Sequence, residues 1–223
     1  MSPRVGFFVD GFNLYHSLAA YAKESGDLSV KWLDLVGLAD GHLHEVGGSS
    51  TLRSVHYFSA LPEHLYLVDP GRLRRHQVYL RALTAHGVVR PSIVLGRIVQ
   101  QQVQVQVNGV KVVGRVWREK GTDVALAMGL MREASRGDLD EVVIISGDAD
   151  YLPAVAAFRE MHPDVGLRFA FPRGRASKEL ARVAPDSFTL NAAAYNSHRL
   201  PDCIRLPSGK TLYCPPEWLR KSK

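Results

Sequence analysis

The chain has 223 residues, of which 46% are hydrophobic and 22% are charged, a composition that supports one main folded domain. Its formal net charge of +6 and pI near 9.4 favour a polyanionic partner without establishing one, because many mildly basic proteins bind no nucleic acid. No run of about 18 uncharged apolar residues occurs, which excludes a membrane-spanning helix and leads us to expect a soluble protein.

The N-terminal part of the sequence predicts a strand followed by a helix. The apolar run at residues 5–9 is typical of a strand covered on both faces of a parallel sheet, and it ends at Asp10-Gly11. Three apolar residues then recur at helical spacing before Gly26 ends the pattern: Leu14, Leu18 and Tyr21. Residues 32–36 suggest a short helix within the connection that follows. These features describe a βα unit.

The middle of the chain continues this alternation. Residues 54–61 predict a strand, and residues 72–86 predict a basic helix that stops at Gly87. Valines alternate with glutamines over residues 103–107, Asn108-Gly109 follows and valines then resume, which predicts a β-hairpin with a tight turn. We expect Thr122 to cap the next helix, whose predicted inner face consists of four apolar residues: Val124, Ala127, Met128 and Met131.

The last third of the chain completes an α/β pattern. Strands are predicted at 142–145, 166–171 and 187–190, with helices at 151–161 and 177–183. Regular alternation of strands and helices predicts a three-layer α/β/α sandwich around a mostly parallel sheet, whose crossover connections are right-handed. The inserted hairpin is expected to project from this sheet.

A proline-rich tail follows and predicts a second, smaller hairpin around Ser208-Gly209. We therefore divide the chain into a main domain, residues 1–195, and a C-terminal appendage, residues 196–223. Cys203 and Cys214 both lie in this tail, and the N-terminus lacks the features of a signal peptide. A reducing, cytoplasmic location with free thiols is the expectation.

Two predicted strands end in aspartates. Asp10 follows the first strand, and Asp148 and Asp150 follow the strand at 142–145, where Gly147 is expected to let the chain turn sharply. Ligands in open α/β sheets bind beyond the carboxyl ends of the strands, so three carboxylates converge if these strands are neighbours. Asp123, in the first turn of the helix after Thr122, would supply a fourth.

Four carboxylates packed together repel one another unless cations neutralise them, and Mg²⁺ and Mn²⁺ prefer hard oxygen ligands. The cluster therefore predicts a Mg²⁺ or Mn²⁺ site, at which one or two ions activate water and stabilise the departing oxygen of a phosphodiester. The sequence has no spacing typical of a Ser/His/acid triad, a zinc-binding Cys/His quartet or a glycine-rich phosphate loop ending in Lys-Ser or Lys-Thr. Phosphodiester hydrolysis is thus the favoured chemistry.

Three blocks of the sequence, in this order and spacing, resemble the NYN domain, and in particular the LabA-like branch of the PIN-like nucleases. The blocks are VDGFNL at 9–14, EKGTDVALA at 119–127 and ISGDADYLP at 145–153. The resemblance covers residues 4–191 and implies a PIN-like sheet, divalent-metal chemistry and RNA as the substrate. It also implies that four residues bind the metal directly or through water: Asp10, Asp123, Asp148 and Asp150.

The same match implies supporting roles for neighbouring residues. Asn13 would orient Asp10 or the scissile phosphate, while a plain helix cap is nearly as well supported. Ser146 would assist at the rim of the site, and Lys120 would contact a phosphate or tune the carboxylates by its charge. Basic residues after the strand at 166–171 are expected to grip a phosphate, with a solvated loop as the alternative: Arg173, Arg175 and Lys178.

Two features outside the motifs bear on the substrate. The family often places acidic or aromatic residues in the hairpin region, whereas this chain has Val/Gln alternation, so we expect a substrate groove with its own shape. The helix at 72–86 carries several arginines that we interpret as a solvated face in preference to a nucleic-acid track: Arg72, Arg74, Arg75 and Arg81.

Two alternative functions stay open. A haloacid-dehalogenase-type phosphatase also uses a strand-terminal Asp, but it needs a second Asp two residues later, where this chain has Phe12. A catalytically inactive RNA- or protein-binding module could use the same scaffold, although all four acids are present. The sequence does not decide whether the substrate is RNA or DNA, or whether the protein forms a homo-oligomer.

Overall fold

The computed structural model describes residues 2–65, 69–89, 91–107 and 110–220, which form a seven-stranded sheet in the order β4-β3-β2-β1-β5-β6-β7. Adjacent strands are parallel except for β3 and β4. The mostly parallel sheet predicted from the sequence is therefore confirmed. Its strands are β1 (Arg4–Asp10), β2 (Thr51–Ala60), β3 (Ser92–Val107), β4 (Val110–Lys120), β5 (Glu141–Ile145), β6 (Gly166–Phe171) and β7 (Phe188–Thr189).

Helices cover both faces of this sheet and create two separate cores. α1, α2, α3 and α7 pack on one face, and α4, α5 and α6 pack on the other. Alternate residues of β1 serve the two cores, since Phe7 and Val9 belong to the first and Phe8 to the second. The predicted three-layer sandwich is confirmed. The helices are α1 (Gly11–Ser25), α2 (Leu35–Gly41), α3 (Pro70–Ala85), α4 (Thr122–Ala134), α5 (Leu152–Met161), α6 (Lys178–Val183) and α7 (Ala192–Ser197).

The inserted hairpin is longer than its Val/Gln core predicted. β3 begins at Ser92, where it pairs with β2, and its second half pairs with β4 alone. The register joins Val107 to Val110 at the tip and Arg97 to Lys120 at the base. The predicted turn at 108–109 lies outside the described residues. Because β4 returns to the sheet at Lys120, the hairpin delivers the chain directly to the start of α4.

The predicted inner face of α4 is only partly correct, because two of its four residues are exposed. Val124 and Met128 are 68% and 64% exposed, and the buried side is formed by Leu126, Gly129 and Leu130. Almost every residue in this stretch is apolar, so periodicity could not select a face. Close packing selects it, because a Cβ at Gly129 would lie 2.9 Å from the Phe58 ring and the helix can approach the sheet only along this side.

The tail forms the predicted hairpin and packs into the core on the α1 side of the sheet. β8 (Cys203–Arg205) and β9 (Thr211–Tyr213) are antiparallel, and Ile204 and Leu212 are buried in that core. Trp32 Nε1 donates a hydrogen bond of 2.9 Å to the carbonyl of Pro201. Both cysteines are free thiols. Within the described residues, no helix combines the length and apolar character needed to span a bilayer.

Candidate active site

The carboxyl ends of β1 and β5 lie side by side, as the predicted convergence of the acids requires. The two strands pair in parallel, with Val9 opposite Ile145. Asp10 is the last residue of β1, and Ser146 and Gly147 directly follow β5. The loops that leave these two strands therefore start at the same edge of the sheet, next to each other.

Asp10 is held in place by three polar groups although it is only 7% exposed. Its Oδ1 accepts a hydrogen bond of 3.0 Å from the backbone N–H of Asn13, which makes Asp10 the N-cap of α1. Its Oδ2 accepts one of 2.9 Å from Ser146 Oγ and a longer contact, at 3.4 Å, from the Tyr151 hydroxyl. The carboxylate is thus fixed between α1 and the loop after β5.

Asn13 joins the same two segments in a different way. Its Oδ1 accepts a hydrogen bond of 3.1 Å from the backbone N–H of Gly147. The helix cap is therefore Asp10 and not Asn13, which instead fixes the distance between α1 and the loop after β5. In this structure Asn13 has the contacts of a positioning residue.

Gly147 is required for a reason other than the predicted sharp turn. Its φ lies outside the left-handed region, so its backbone conformation is open to other residues. A Cβ at this position would instead overlap the carbonyl oxygen of Arg175. The glycine therefore lets the loop after β5 pack directly against the backbone of the loop after β6.

Asp123 reaches the cluster through a residue that the sequence reasoning missed. The Tyr151 hydroxyl donates to Asp123 Oδ1 at 3.1 Å and also lies 3.4 Å from Asp10 Oδ2. Tyr151 is buried, and its burial together with the negative charges of Asp10 and Asp123 raises its pKa, so the hydroxyl stays protonated and donates. The sequence feature that could have identified Tyr151 is its position directly after Asp150 in the third motif block.

The start of α4 also differs from its prediction. Gly121, with φ of 95°, occupies the capping position, and Thr122 is the first helical residue. Glu119 Oε1 accepts a hydrogen bond of 2.9 Å from the backbone N–H of Thr122, so a glutamate replaces the expected threonine cap. This second missed residue adds another carboxylate close to Asp123.

Burial and charge make the ionised acids unfavourable here. Burial raises the pKa of Asp10, the charges of Asp123 and Asp148 raise it further, and the hydrogen bonds from Asn13 and Ser146 oppose the shift. Burial also raises the pKa of Asp123, supported by the charges of Glu119, Asp148 and Asp150. Asp150 is exposed, and its backbone N–H donates to Asp148 Oδ1 at 3.0 Å. The fold thus holds several carboxylates close together in a place where burial disfavours the charged form of Asp10 and Asp123.

Sequence comparison identifies the family. The sequence profile of the NYN domain matches residues 4–191, which is most of the chain. The protein belongs to the NYN domain family. This membership places it in the PIN-like nuclease superfamily, whereas the LabA-like branch stays a prediction.

A crystal structure of a protein of unknown function from Vibrio parahaemolyticus is similar to this NYN protein, with 16% sequence identity, a TM-score of 0.48, and coverage of 86% of this chain and 94% of that chain. No protein with a curated description matches the sequence significantly.

The donor chemistry of the NYN site fits a hard divalent cation. Its candidate ligands are carboxylate oxygens whose mutual repulsion a cation would relieve. Within residues 2–65, 69–89, 91–107 and 110–220, however, no group of three or more His, Cys, Asp or Glu side chains is arranged to hold a metal ion. The Tyr151 hydroxyl lies between Asp10 and Asp123, within 3.4 Å of the first carboxylate and 3.1 Å of the second.

The predicted phosphate-binding residues fall into two groups. Arg173 forms a bidentate ion pair with Glu24 of α1, at 2.7 and 2.9 Å, and its guanidinium lies 5.2 Å from the centre of the Tyr21 ring. It would have to leave both partners to reach a substrate. Lys120 and Lys178 are exposed, the first at the end of β4 and the second at the start of α6, and Arg175 is half-buried. Their roles stay predictions.

Proposed function

We propose that this NYN-domain protein is a divalent-metal-dependent ribonuclease. The observation that carries the proposal is the approach of Asp10, Asp123 and the loop bearing Asp148 to one edge of the sheet, where burial and mutual repulsion raise the pKa of the first two. A Mg²⁺ or Mn²⁺ ion would offset that repulsion and matches an all-oxygen ligand set.

The aspartates and the neighbouring residues would have different roles in the site. Asp10, Asp123, Asp148 and Asp150 would hold the ion, which when bound lowers the pKa of water and stabilises negative charge on phosphate oxygens. Ser146 fixes Oδ2 of Asp10 at 2.9 Å. Tyr151 donates to Asp123 Oδ1 at 3.1 Å and would position that carboxylate.

A nucleic-acid substrate follows from the superfamily and agrees with the net charge of +6. RNA is the specific proposal. Lys120 supports a nucleic-acid substrate of either kind, because at the base of the hairpin it lies opposite Arg97 of β3, two residues before α4. Both side chains could neutralise backbone phosphates near the acids.

A second candidate is a nucleic-acid-binding protein without catalytic activity. It is favoured by the absence, among the described residues, of a preformed group of three metal ligands. A binding module would also need no cation to bring Asp10 and Asp123 together. Activity measurements separate the two functions directly.

The test is cleavage of end-labelled single-stranded RNA, single-stranded DNA and duplex RNA with Mg²⁺, Mn²⁺ or EDTA. We expect RNA cleavage with either metal and a loss of about 10²-fold or more in Asp10→Asn and Asp148→Asn. Asp164→Asn is the matched control, because this exposed acid precedes β6 at the opposite edge of the sheet. Cleavage that persists in both site variants, or that no metal supports, contradicts the proposal.

A further inference from the structure

A cavity of about 510 Å³ lies next to Asp10, between α1, the end of β2 and α3. Gly11 and Phe12, which directly follow Asp10, form one wall, and Ser59 and Ala60 line it from the end of β2. This volume falls within the range of pockets that bind small organic ligands, roughly 300–1,000 Å³. None of the four aspartates lines it. The cavity is thus adjacent to the acids and separate from them.

Aromatic rings supply much of the cavity surface. Tyr57 and Tyr79 meet edge to face with ring centres 6.4 Å apart, and Tyr79 meets Trp218 of the tail in the same manner, also at 6.4 Å. Phe12 and Tyr15 contribute further rings from α1. Such surfaces favour a flat, polarizable ligand, because stacking on an aromatic face is its main source of binding energy.

The charged residues of the cavity leave a positive excess. Arg75 is neutralised by Asp69 at 2.9 Å and by Glu217 at 2.8 Å. The other two cations lie against Tyr15 instead: Lys31 Nζ is 5.6 Å from the ring centre, and Arg72 Nη2 donates to the hydroxyl at 3.4 Å. A ligand that carries both a flat ring and an anionic group would satisfy both features of the cavity.

Two histidines offer hydrogen bonds to the edge of such a ring. His64 Nδ1 is buried and has no hydrogen-bond partner among the described residues. Burial lowers the pKa of His76 to about 4, so near neutral pH its imidazole carries one donor and one acceptor nitrogen. Paired donors and acceptors are the groups that a nucleobase edge presents.

We propose that this cavity binds one unstacked nucleobase of the substrate strand, with the adjoining phosphate near Lys31 and Arg72. The proposal rests on the proposed function for the presence of a nucleic-acid strand at Asp10. A base fits better than other flat ligands, because Lys31 and Arg72 line the cavity and the proposed phosphodiester site at Asp10 is adjacent to it. Seating the base here would hold the backbone next to the acids.

The inserted hairpin extends this site. Ile98 lines the cavity, and two residues further along β3 Gln100 lies opposite Trp117, whose ring is 5.4 Å from that of His64. Opposed residues of antiparallel strands share a face. We call this side of the hairpin the glutamine face, and it comprises Gln100, Gln102, Gln104 and Gln106 of β3 with Trp117, Arg115, Val113 and Lys111 of β4.

The glutamine face would carry the nucleotides that follow the seated base. It combines amides, cations and the 47% exposed Trp117, which are the groups that contact phosphates and stack on unpaired bases. The opposite side of the hairpin pairs Val99 with Arg118 and Val105 with Val112. One face is therefore suited to a single strand, and the other provides matched controls.

The first experiment measures fluorescence anisotropy of a labelled single-stranded RNA of about 12 nucleotides in EDTA, where metal-dependent cleavage stops. Arg72→Gln and Arg115→Gln should each weaken binding about 10-fold. Arg74→Gln, on α3 but outside the cavity, and Arg118→Gln, on the other face of the hairpin, should change it less than about two-fold. Equal losses in both members of each pair overturn the proposal.

The second experiment replaces each nucleotide of this RNA in turn by an abasic one. A base seated in the cavity predicts a loss of about 10-fold at one or two positions, and disappearance of that dependence in Tyr15→Ala. Equal affinity at every position, or a dependence that Tyr15→Ala retains, overturns the proposal. A base-dependent loss of affinity without cleavage in any metal would support the base-binding cavity and contradict the nuclease activity. Cleavage without base dependence would support the nuclease activity and contradict the base-binding cavity.

Discussion

The two ends of the β1–β5 pair are joined by different kinds of interaction. At the amino ends, the backbone N–H and guanidinium of Arg4 donate to the exposed carboxylate of Asp140 at 2.8–2.9 Å. At the carboxyl ends, the buried Asp10 accepts from Ser146, and Asn13 accepts from Gly147. The first pairs opposite charges, whereas the second surrounds like charges with neutral hydrogen-bond donors.

This difference explains opposite pKa shifts on one pair of strands. The Arg4 guanidinium holds the pKa of Asp140 down, at about 2, while burial raises the pKa of Asp10 and of Asp123. The Arg4–Asp140 pair at the amino ends of β1 and β5 therefore favours folding. The carboxyl end keeps charged groups where they oppose folding, as expected of a site whose acids serve a purpose other than stability.

The largest effect should come from closing the space at the carboxyl end. Gly147→Ala places a Cβ on the Arg175 carbonyl, which must move the backbone, so we expect a loss of about 3 kcal/mol or more in unfolding free energy. The melting temperature should fall by roughly 6–12 °C. Thermal unfolding measures this.

Gly48→Ala is the matched control for that change. A Cβ at Gly48 meets nothing within 4 Å, so its unfolding free energy should change by less than about 0.5 kcal/mol. If Gly147→Ala is as stable as Gly48→Ala, the contact between the loops after β5 and β6 is not as close as described.

The second prediction is that removing a charge from the acid cluster stabilises the metal-free protein. A carboxyl whose pKa is raised on folding supports folding at low pH and loses that support as pH rises through the folded pKa. Asp123 is such a group, so Asp123→Asn should raise the melting temperature at pH 7 in EDTA by on the order of 1–2 °C. The gain should shrink towards pH 4, and a lower melting temperature at pH 7 would refute the account of the cluster.

The smallest effect should come from the amino end and have the opposite sign. The pKa of Asp140 is lowered on folding to about 2, so its contribution is present above the ordinary value of 3.8 and is lost as pH falls towards 2. Asp140→Asn should lower the melting temperature slightly at pH 7 and leave it unchanged near pH 2. Melting curves at both pH values test this, with Asp164→Asn as control. A difference that persists at pH 2 would exclude the ion pair as its cause.

Local sequence patterns predicted the strands and helices that have a clear apolar pattern and distinct start or stop residues. The strand expected at residues 166–171 is β6 as observed, and Gly26, with φ of 72°, ends α1 where its sequence indicated. Such elements are defined by apolar periodicity and by residues that start or stop them, both of which are local properties. Two residues of the predicted α4 face, Val124 and Met128, proved to be exposed, because apolar residues surround this helix and offer no periodicity.

The residues of the candidate site likewise fall into those that local sequence indicated and those that depend on tertiary contacts. Asp10 and Asp148 could be proposed as site residues because each follows a buried strand and lies in a family motif. Tyr151 and Glu119 could not, since their roles depend on hydrogen bonds to Asp123 and Thr122 that no spacing rule predicts. Arg173 was expected beside a phosphate, yet the structure pairs it with Glu24, a residue 149 positions away.

The alternation of strands and helices, the aspartates at strand ends and the NYN motifs could all be predicted from local sequence, because hydrophobic periodicity and short motifs depend on consecutive residues. Three features required the folded chain: β1 lies beside β5, Gly147 packs against the Arg175 backbone, and a cavity lies beside Asp10. These features depend on contacts between segments far apart in the chain, whose energies are set by packing and not by the local pattern.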